Sequence, residues 1–202
     1  MNWIKQSFIF AFKNPKESLF LIIAGMLSLY VTSFNAIVGA VITSIVFAFA
    51  QAAVFNHFAK KPLLQIKNKS SLLLMALLSI PTNIIMGSVV GLIQGAETVP
   101  MALMLVVIFA IFSALSYIVI GHAIGFIVVQ EMHFEKSLNA ALSGFKKHRL
   151  HLLMLSCLVS IILMFSALPM GLGLIIALPI QFYVNGFSFN DLYQLKKNEV
   201  DV

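Results

Sequence analysis

The feature that most constrains this chain is a run of 41 residues, from residue 18 to residue 58, without a single Lys, Arg, Asp or Glu. A membrane-spanning helix needs about 20 apolar residues, because each residue advances 1.5 Å through a hydrocarbon core of about 30 Å. The run is too long for one such helix and therefore predicts two. We expect them at residues 18–33 and 36–58, separated around the segment "TSFNA".

Composition supports the same class of protein. Sixty per cent of the 202 residues are hydrophobic and 10% are charged, with a mean hydropathy of +1.01. A soluble domain has about a quarter of its residues charged. The chain is therefore predicted to be a single integral membrane domain covering residues 1–202.

Three further apolar runs cover residues 72–94, 99–129 and 150–182. The last is again too long for one span. The segment "ALPMGLG" predicts the turn that divides it, because Pro169, Gly171 and Gly173 interrupt a helix. The predicted fold is all-α: a polytopic membrane helix bundle of six transmembrane helices, with amphipathic helices at the interface.

The thirteen basic residues predict the orientation of these spans. They fall in four segments: before the first span (Lys5, Lys13 and Lys16), between the second and third (Lys60, Lys61, Lys67 and Lys69), between the fourth and fifth (Lys136, Lys146, Lys147 and Arg149) and after the sixth (Lys196 and Lys197). The alternate loops contain no basic residue. Because basic loops stay on the cytoplasmic side during insertion, both termini are predicted to be cytoplasmic.

The segment between the fourth and fifth spans has the pattern of an amphipathic helix, and the N-terminus has a similar one. Such helices can lie in the headgroup layer with their lysines toward anionic lipid. The candidate lipid contacts are Trp3, Phe134, Leu138, Leu142, Phe145, Lys146 and Lys147. Two uses stay open: the helices shield the ends of the spans, or they bind lipid or a protein partner.

These two segments also suggest an internal repeat, with units at residues 1–61 and 133–197 around a central hairpin at 72–129. The segment "AFKNPKESLFLI" aligns with "GFKKHRLHLLML", and "VFNHFAKK" aligns with "SFNDLYQLKK". Two spans separate the units, so they would point the same way, as parallel repeats do. Shared membrane composition is the alternative explanation.

Three segments carry a resemblance to a known family: "KNP" before the first hairpin, "FIVVQEMHFEKSLNAALSGFKKHRLHLLML" and "LPMGLGLIIALP". Their order resembles that of uncharacterised bacterial six-span inner-membrane proteins. These are distantly similar to the membrane domain attached to some glycerophosphoryl diester phosphodiesterases. The resemblance implies a helical fold and a bacterial inner-membrane location, and it implies no catalytic residue.

Polar side chains within the predicted spans are the candidates for function, because hydrocarbon makes them costly. They are His122 and Tyr117 on the fourth span, Asn83 on the third and Gln181 on the sixth. In a transporter such groups would surround a path near mid-membrane. Alternatively, His122 hydrogen-bonds to a neighbouring helix and holds the bundle together.

Glycines at intervals of four residues predict close approach between helices. They are Gly87, Gly91 and Gly95 on the third span, and Gly121 and Gly125 on the fourth. Packing within the bundle and formation of a homo-oligomer are both compatible with this pattern.

The sequence has no phosphate-binding loop, paired-cysteine motif or metalloprotease helix, so we expect no enzyme, cofactor or metal site. The predicted function is that of a non-enzymatic accessory or scaffold protein, which acts through partners or lipid at the cytoplasmic face. The alternative is a small oligomeric transporter or channel with His122 and intramembrane amides lining its path. Expected partners are the bilayer, including anionic lipid, and a protein partner or second copy, but not nucleic acid.

Overall fold

In a computed structural model, the described part of the chain comprises residues 2–34, 36–63, 65–95, 98, 100–101, 104–105, 107–108, 112, 114–167 and 174–193. Within these residues the secondary structure is entirely helical, with eight α-helices, one π-helical segment and no strand. The predicted all-α class is confirmed. Residues 168–173, which form all but the first residue of the predicted turn at 167–173, lie outside the described residues. The two C-terminal lysines also lie outside them.

The helices follow one another with short connections. Their bounds are α1 Trp3–Lys13, α2 Pro15–Phe34, α3 Ala36–Phe58, α4 Lys69–Gln94, a π-helical segment Ala114–Ile120, α5 Gly121–Val129, α6 Phe134–Lys147, α7 Arg149–Ala167 and α8 Leu174–Tyr193. Helix α3 has the bounds that its sequence pattern predicts, and the amphipathic helix α6 lies in the segment predicted for it, between the fourth and fifth predicted spans.

Each amphipathic helix is joined to the apolar helix after it by one residue. Asn14 separates α1 from α2, where Pro15 takes the first helical position and needs no hydrogen-bond acceptor for its nitrogen. His148 separates α6 from α7 and has a non-helical backbone, with φ −115° and ψ 23°. The predicted repeat units thus contain the same order of helices, and the repeat itself stays a prediction.

Length and composition identify one helix, Ile37–Phe58 within α3, as able to cross a membrane among the residues that the structure describes. Its mean hydropathy is 2.2, and half of it is buried inside the protein. Shorter apolar helical stretches lie at Lys69–Ile85, Tyr117–Val129 and Arg149–Ile162. One such helix is weak evidence for a membrane protein, because core helices and signal sequences have the same properties.

The outward faces of the helices carry large apolar side chains instead of charged ones. On α4, Leu73, Leu74, Leu77 and Leu78 are all between 40% and 48% exposed. The exposed apolar side chains of α2 are between 46% and 64% exposed; they are Leu19, Phe20, Ile23, Met26, Leu27 and Tyr30. Continuous exposed apolar surface of this kind marks contact with lipid or with another protein.

Helices α3 and α8 occupy the centre of the packing. One cluster joins α3, α4, α5 and α6 around Phe55, Met75 and Ile124. A second joins α1, α2, α3 and α8 around Leu21, Phe182 and Tyr183. Helix α8 belongs to both of these clusters and also to a third, against α7. It therefore positions the side chains of most of the other helices.

Charged residues gather at one end of the bundle, which we call the charged end. Helices α2, α4 and α7 begin there, and α3, α5 and α8 end there. The contacts that join the segments at this end include Trp3 Nε1 to Asp191 Oδ2 (3.0 Å), Glu17 Oε1 to His57 Nδ1 (3.8 Å), Lys61 Nζ to the Val128 carbonyl (3.3 Å) and Lys67 Nζ to Glu131 Oε1 (2.8 Å). The segments predicted to share one side of a membrane therefore meet in space.

Candidate functional site

The strongest concentration of buried and half-buried polar side chains lies between α3, the π-helical segment, α5 and α8. We call it the polar cluster; its members are Gln51, Tyr117, His122, Gln181, Asn185 and Ser188. Gln51, His122 and Asn185 each lie seven or eight residues from the charged end of their helices. At 1.5 Å per residue, these three side chains are about 10–12 Å below that end.

Glycines bring the helices close enough for these groups to meet. A Cβ atom at Gly121 would lie 2.6 Å from Nδ2 of Asn185, and one at Gly125 would lie 2.8 Å from the ring of Phe189. Two of the predicted packing glycines therefore face α8 at points of close approach. Without a side chain at Gly121, the amide of Asn185 reaches the backbone carbonyl of Tyr117 at 2.6 Å.

His122 is 1% exposed, and both of its ring nitrogens have a partner. Its Nε2 is 2.9 Å from the hydroxyl oxygen of Ser188, which donates to the Asn185 carbonyl at 3.2 Å. Its Nδ1 is 3.5 Å from the hydroxyl oxygen of Tyr193. Every donor is satisfied if Nε2 carries the proton and Tyr193 donates to Nδ1. The imidazole is thus held between two hydroxyl groups of α8.

The amides of the cluster bind one another in the same way. Asn185 donates from Nδ2 to Gln51 Oε1 at 3.1 Å as well as to Tyr117, and Gln51 donates to the Phe182 carbonyl at 3.3 Å. Gln181 lies beside these groups and lines a small cavity together with Tyr117 and Asn185. These bonds join α3, the π-helical segment and α8 across the interior.

One amide nitrogen of the polar cluster donates no hydrogen bond within the part of the chain that the structure describes. Nε2 of Gln181 is buried and has no hydrogen-bond partner among the described residues. Beside it is a cavity of about 10 Å³, lined in part by Tyr117, Ser156 and Asn185. This volume is near the minimum that a single water molecule requires. The cavity is far too small for a solute.

The fourth predicted polar residue lies elsewhere. Asn83 on α4 donates to the hydroxyl of Ser44 at 2.8 Å, and that hydroxyl donates to the Ala40 carbonyl. The structure therefore brings together His122, Tyr117 and Gln181 but not Asn83. Asn185 and Ser188 are not among the residues predicted from the sequence. A signal was present, because Gln181, Asn185 and Ser188 are spaced by four and three residues and so form one polar stripe along an apolar helix.

The apolar stripe of α6 packs against the protein. Ala141 is fully buried, and the stripe residues Phe134, Leu138, Leu142 and Phe145 are half-buried against the cluster that joins α3, α4 and α5. The two lysines at the end of the helix, Lys146 and Lys147, are exposed. This packing accords with the shielding role, and lipid contact by the remaining exposed surface stays a prediction.

At the N-terminus, Trp3 is half-buried against α7 and α8, and its indole nitrogen donates to Asp191. Phe8 and Phe12 are exposed and contact one another, with ring centroids 4.9 Å apart. Of the third-span glycines, Gly87 and Gly91 lie on α4 and Gly95 directly follows it. Their use in packing stays a prediction.

Glu131 organises the loops at the charged end. It has a positive φ of 57°, and its carbonyl accepts a hydrogen bond from Asn68 Nδ2 at 2.7 Å. The hydrogen bond from Lys67 holds the pKa of its carboxyl below the usual 4.5, and Lys61 acts in the same direction. The loop after α3 is thereby tied to the loop after α5.

The described residues contain no group of three or more His, Cys, Asp or Glu side chains that could hold a metal ion. Comparisons of the chain with protein-family models, with curated proteins and with solved structures give no match. The resemblance to six-span bacterial proteins therefore rests on the segments quoted above.

Proposed function

We propose that this chain is a six-span protein of the bacterial inner membrane with both termini in the cytoplasm, and that it serves as a non-enzymatic accessory or scaffold at the cytoplasmic face. The exposed apolar faces of α2 and α4 support membrane placement, since water would not tolerate them. The convergence at one end of the three basic segments that the structure describes supports the orientation. The resemblance to six-span bacterial proteins agrees with the membrane placement.

One observation favours a scaffold over a transporter: the polar cluster uses nearly all of its hydrogen-bonding groups internally. His122, Ser188, Asn185 and Gln51 each bind another member of the cluster or a nearby backbone carbonyl. A transport site needs polar groups that are available to a solute. Here they fasten α3, α5 and α8 together, which suits a rigid platform.

The charged end is the surface that such a platform would offer to partners. It carries Lys136, Lys146, Lys147 and Arg149, which are exposed, beside the N-terminal lysines of α1. Near the membrane each basic residue adds about 1 kcal/mol of attraction to anionic lipid. A partner with an acidic surface would be attracted by the same charges.

Two measurements on the full-length protein test this proposal. Photo-crosslinking in native membranes from Lys146 or Lys147 should capture a defined protein or lipid, whereas crosslinking from Leu77 on the outer face of α4 should capture bulk lipid. The same capture from both positions would contradict a docking surface at the charged end.

The second measurement addresses the transporter alternative. Purified protein in liposomes should give no solute flux above that of empty liposomes. A flux that His122→Ala abolishes, while the exposed substitution Ser88→Ala leaves it intact, would replace the scaffold proposal with a transport function.

A further inference from the structure

A groove lies between the charged-end halves of α2 and α3, and α8 forms its floor. Its volume is about 250 Å³. The walls are apolar: Phe20 and Leu21 on α2, Ala53 and Val54 on α3, with Tyr183 of α8 beneath. Leu21 and Val54 are buried, whereas Phe20 is 46% exposed, so the groove is open toward the outside of the bundle.

The rim of this groove at the charged end is polar. Lys16 and Glu17 line it from the first turn of α2, and His57 lines it from the end of α3. Glu17 Oε1 is 3.8 Å from His57 Nδ1. The groove therefore has hydrocarbon walls and a rim with one positive and one negative side chain at adjacent positions.

The rim is held in place by hydrogen bonds to other helices. The hydroxyl of Ser18, next to Glu17, donates to the Ala11 carbonyl at 2.8 Å and lies 3.3 Å from the hydroxyl of Tyr183. These contacts fix the start of α2 against both α1 and α8. The charges are thus presented by a supported turn and not by a free loop.

We propose that this groove binds one acyl chain of a zwitterionic phospholipid with a primary ammonium headgroup, such as phosphatidylethanolamine. The chain lies between Phe20 and Val54, the phosphate meets Lys16, and the ammonium meets Glu17. This inference rests on the proposed membrane placement, since it needs the charged end to lie at headgroup level. It adds to that proposal the class of lipid that the protein binds.

Charge and size together favour this occupant. A purely anionic headgroup would gain Lys16 but would be repelled by Glu17, whereas an ammonium–phosphate headgroup matches both. A helix of a partner or of a second copy is about 10 Å across and does not fit a space of this volume. The groove is smaller than the roughly 300–1,000 Å³ of sites that enclose drug-sized ligands. Because it is open on one side, it can hold a segment of one acyl chain while the rest of that chain lies in the bilayer.

The first test is headgroup competition on the wild-type protein in detergent, read by native mass spectrometry. The probes are phosphatidylethanolamine, phosphatidylglycerol and phosphatidylcholine with identical acyl chains. We expect phosphatidylethanolamine to be retained about three- to tenfold over phosphatidylglycerol, which corresponds to about 0.7–1.4 kcal/mol, the net contribution of one ordinary hydrogen bond. Phosphatidylcholine should rank below phosphatidylethanolamine, because its ammonium has no N–H to donate. Equal retention of the three would overturn the proposal.

Variants locate the binding in the groove. Glu17→Gln should remove the preference for phosphatidylethanolamine over phosphatidylglycerol, and Lys16→Gln should lower the retention of both. Lys13→Gln, an exposed cation outside the groove, is the matched control and should retain the wild-type order. If Lys13→Gln and Lys16→Gln behave alike, the headgroup does not bind at this rim.

Two tryptophan substitutions test whether the acyl chain binds in the groove. Val54→Trp fills the groove and should lower lipid retention severalfold, whereas Leu19→Trp, on the exposed face of α2, should not. Equal retention by the two variants would overturn the assignment of the acyl chain. Should Val54→Trp fail to fold, the wild-type competition still decides. Failure of the membrane placement itself would appear separately, in the thiol labelling described below.

Discussion

Nε2 of His122 lies 2.9 Å from the hydroxyl oxygen of Ser188, and this buried contact joins α5 to α8 across 66 residues of sequence. Ser188 is itself 0% exposed and bonds onward to the Asn185 carbonyl. The contact is therefore one link of a network and not an isolated pair. Removing this contact should weaken the packing of both helices.

We expect Ser188→Ala to lower stability by about 1 kcal/mol. A buried group left unpaired costs about 1–3 kcal/mol in soluble proteins, whereas hydrogen bonds between membrane helices average about 0.6 kcal/mol. The measurement is thermal melting in detergent. Adding His122→Ala should cost less than the sum of the single changes, because the two side chains share one bond. Ser88→Ala, at an exposed position of α4, should melt like wild type. Strictly additive losses would argue against the bond.

Gly125→Ala should destabilise the protein by about 1–3 kcal/mol through overpacking. The new Cβ atom would lie 2.8–3.0 Å from three atoms of the Phe189 ring, which is fully buried and cannot move aside freely. Gly95→Ala, at an exposed glycine, is the control. Melting temperatures of the two variants in detergent provide the comparison, and equal values would mean that α5 and α8 have room to separate.

Thiol labelling tests the orientation. In a Cys157→Ser background, single cysteines at Ser33 and Thr98 should react with an impermeant reagent in intact cells. Cysteines at Lys13 and Lys147, both at the charged end, should react only after permeabilisation. Labelling of Lys147→Cys in intact cells would refute six spans with cytoplasmic termini.

Stability should depend on pH through Glu131. Lys67 lowers the pKa of the Glu131 carboxyl in the folded state. The interaction therefore stabilises the folded state at pH values above 4.5, the usual pKa of this group, and the stabilisation is lost as the pH falls through the lowered pKa. Melting temperature, followed downward from pH 7, should fall more steeply below pH 4.5 in wild type than in Glu131→Gln. Lys67→Gln should resemble Glu131→Gln, while Lys147→Gln should keep the wild-type profile.

The stripe of α6 should matter more to the fold than its lysines do. Leu138→Asp with Leu142→Asp places charges against the apolar cluster and should prevent stable folding, since unpaired charges are costly in apolar surroundings. Lys146→Gln with Lys147→Gln alters only exposed groups and should leave the melting temperature unchanged. Similar melting of the two double variants would show that the stripe is not packed as described.

Local sequence patterns alone determined the positions of several helices in this protein. The uncharged run of 41 residues already required two helices, and the spacing of Phe134, Leu138 and Phe145 already defined α6. Helix positions are predictable in this way because charge, periodicity and helix-breaking residues act over a few turns of the chain. The confinement of lysines to alternate segments likewise follows from the sequence without coordinates.

The rotation of each helix about its axis was decided only by the tertiary structure. Helix α3 is apolar on every side, so its sequence does not say that Gln51 faces Asn185. For the same reason, the sequence does not show that His122 contacts α8 whereas Asn83 contacts Ser44 on α3. Helices without a polar face have no preferred inward side until neighbouring side chains and glycines compete for contact. The polar cluster and the groove therefore arise from packing between helices, which no single stretch of sequence encodes.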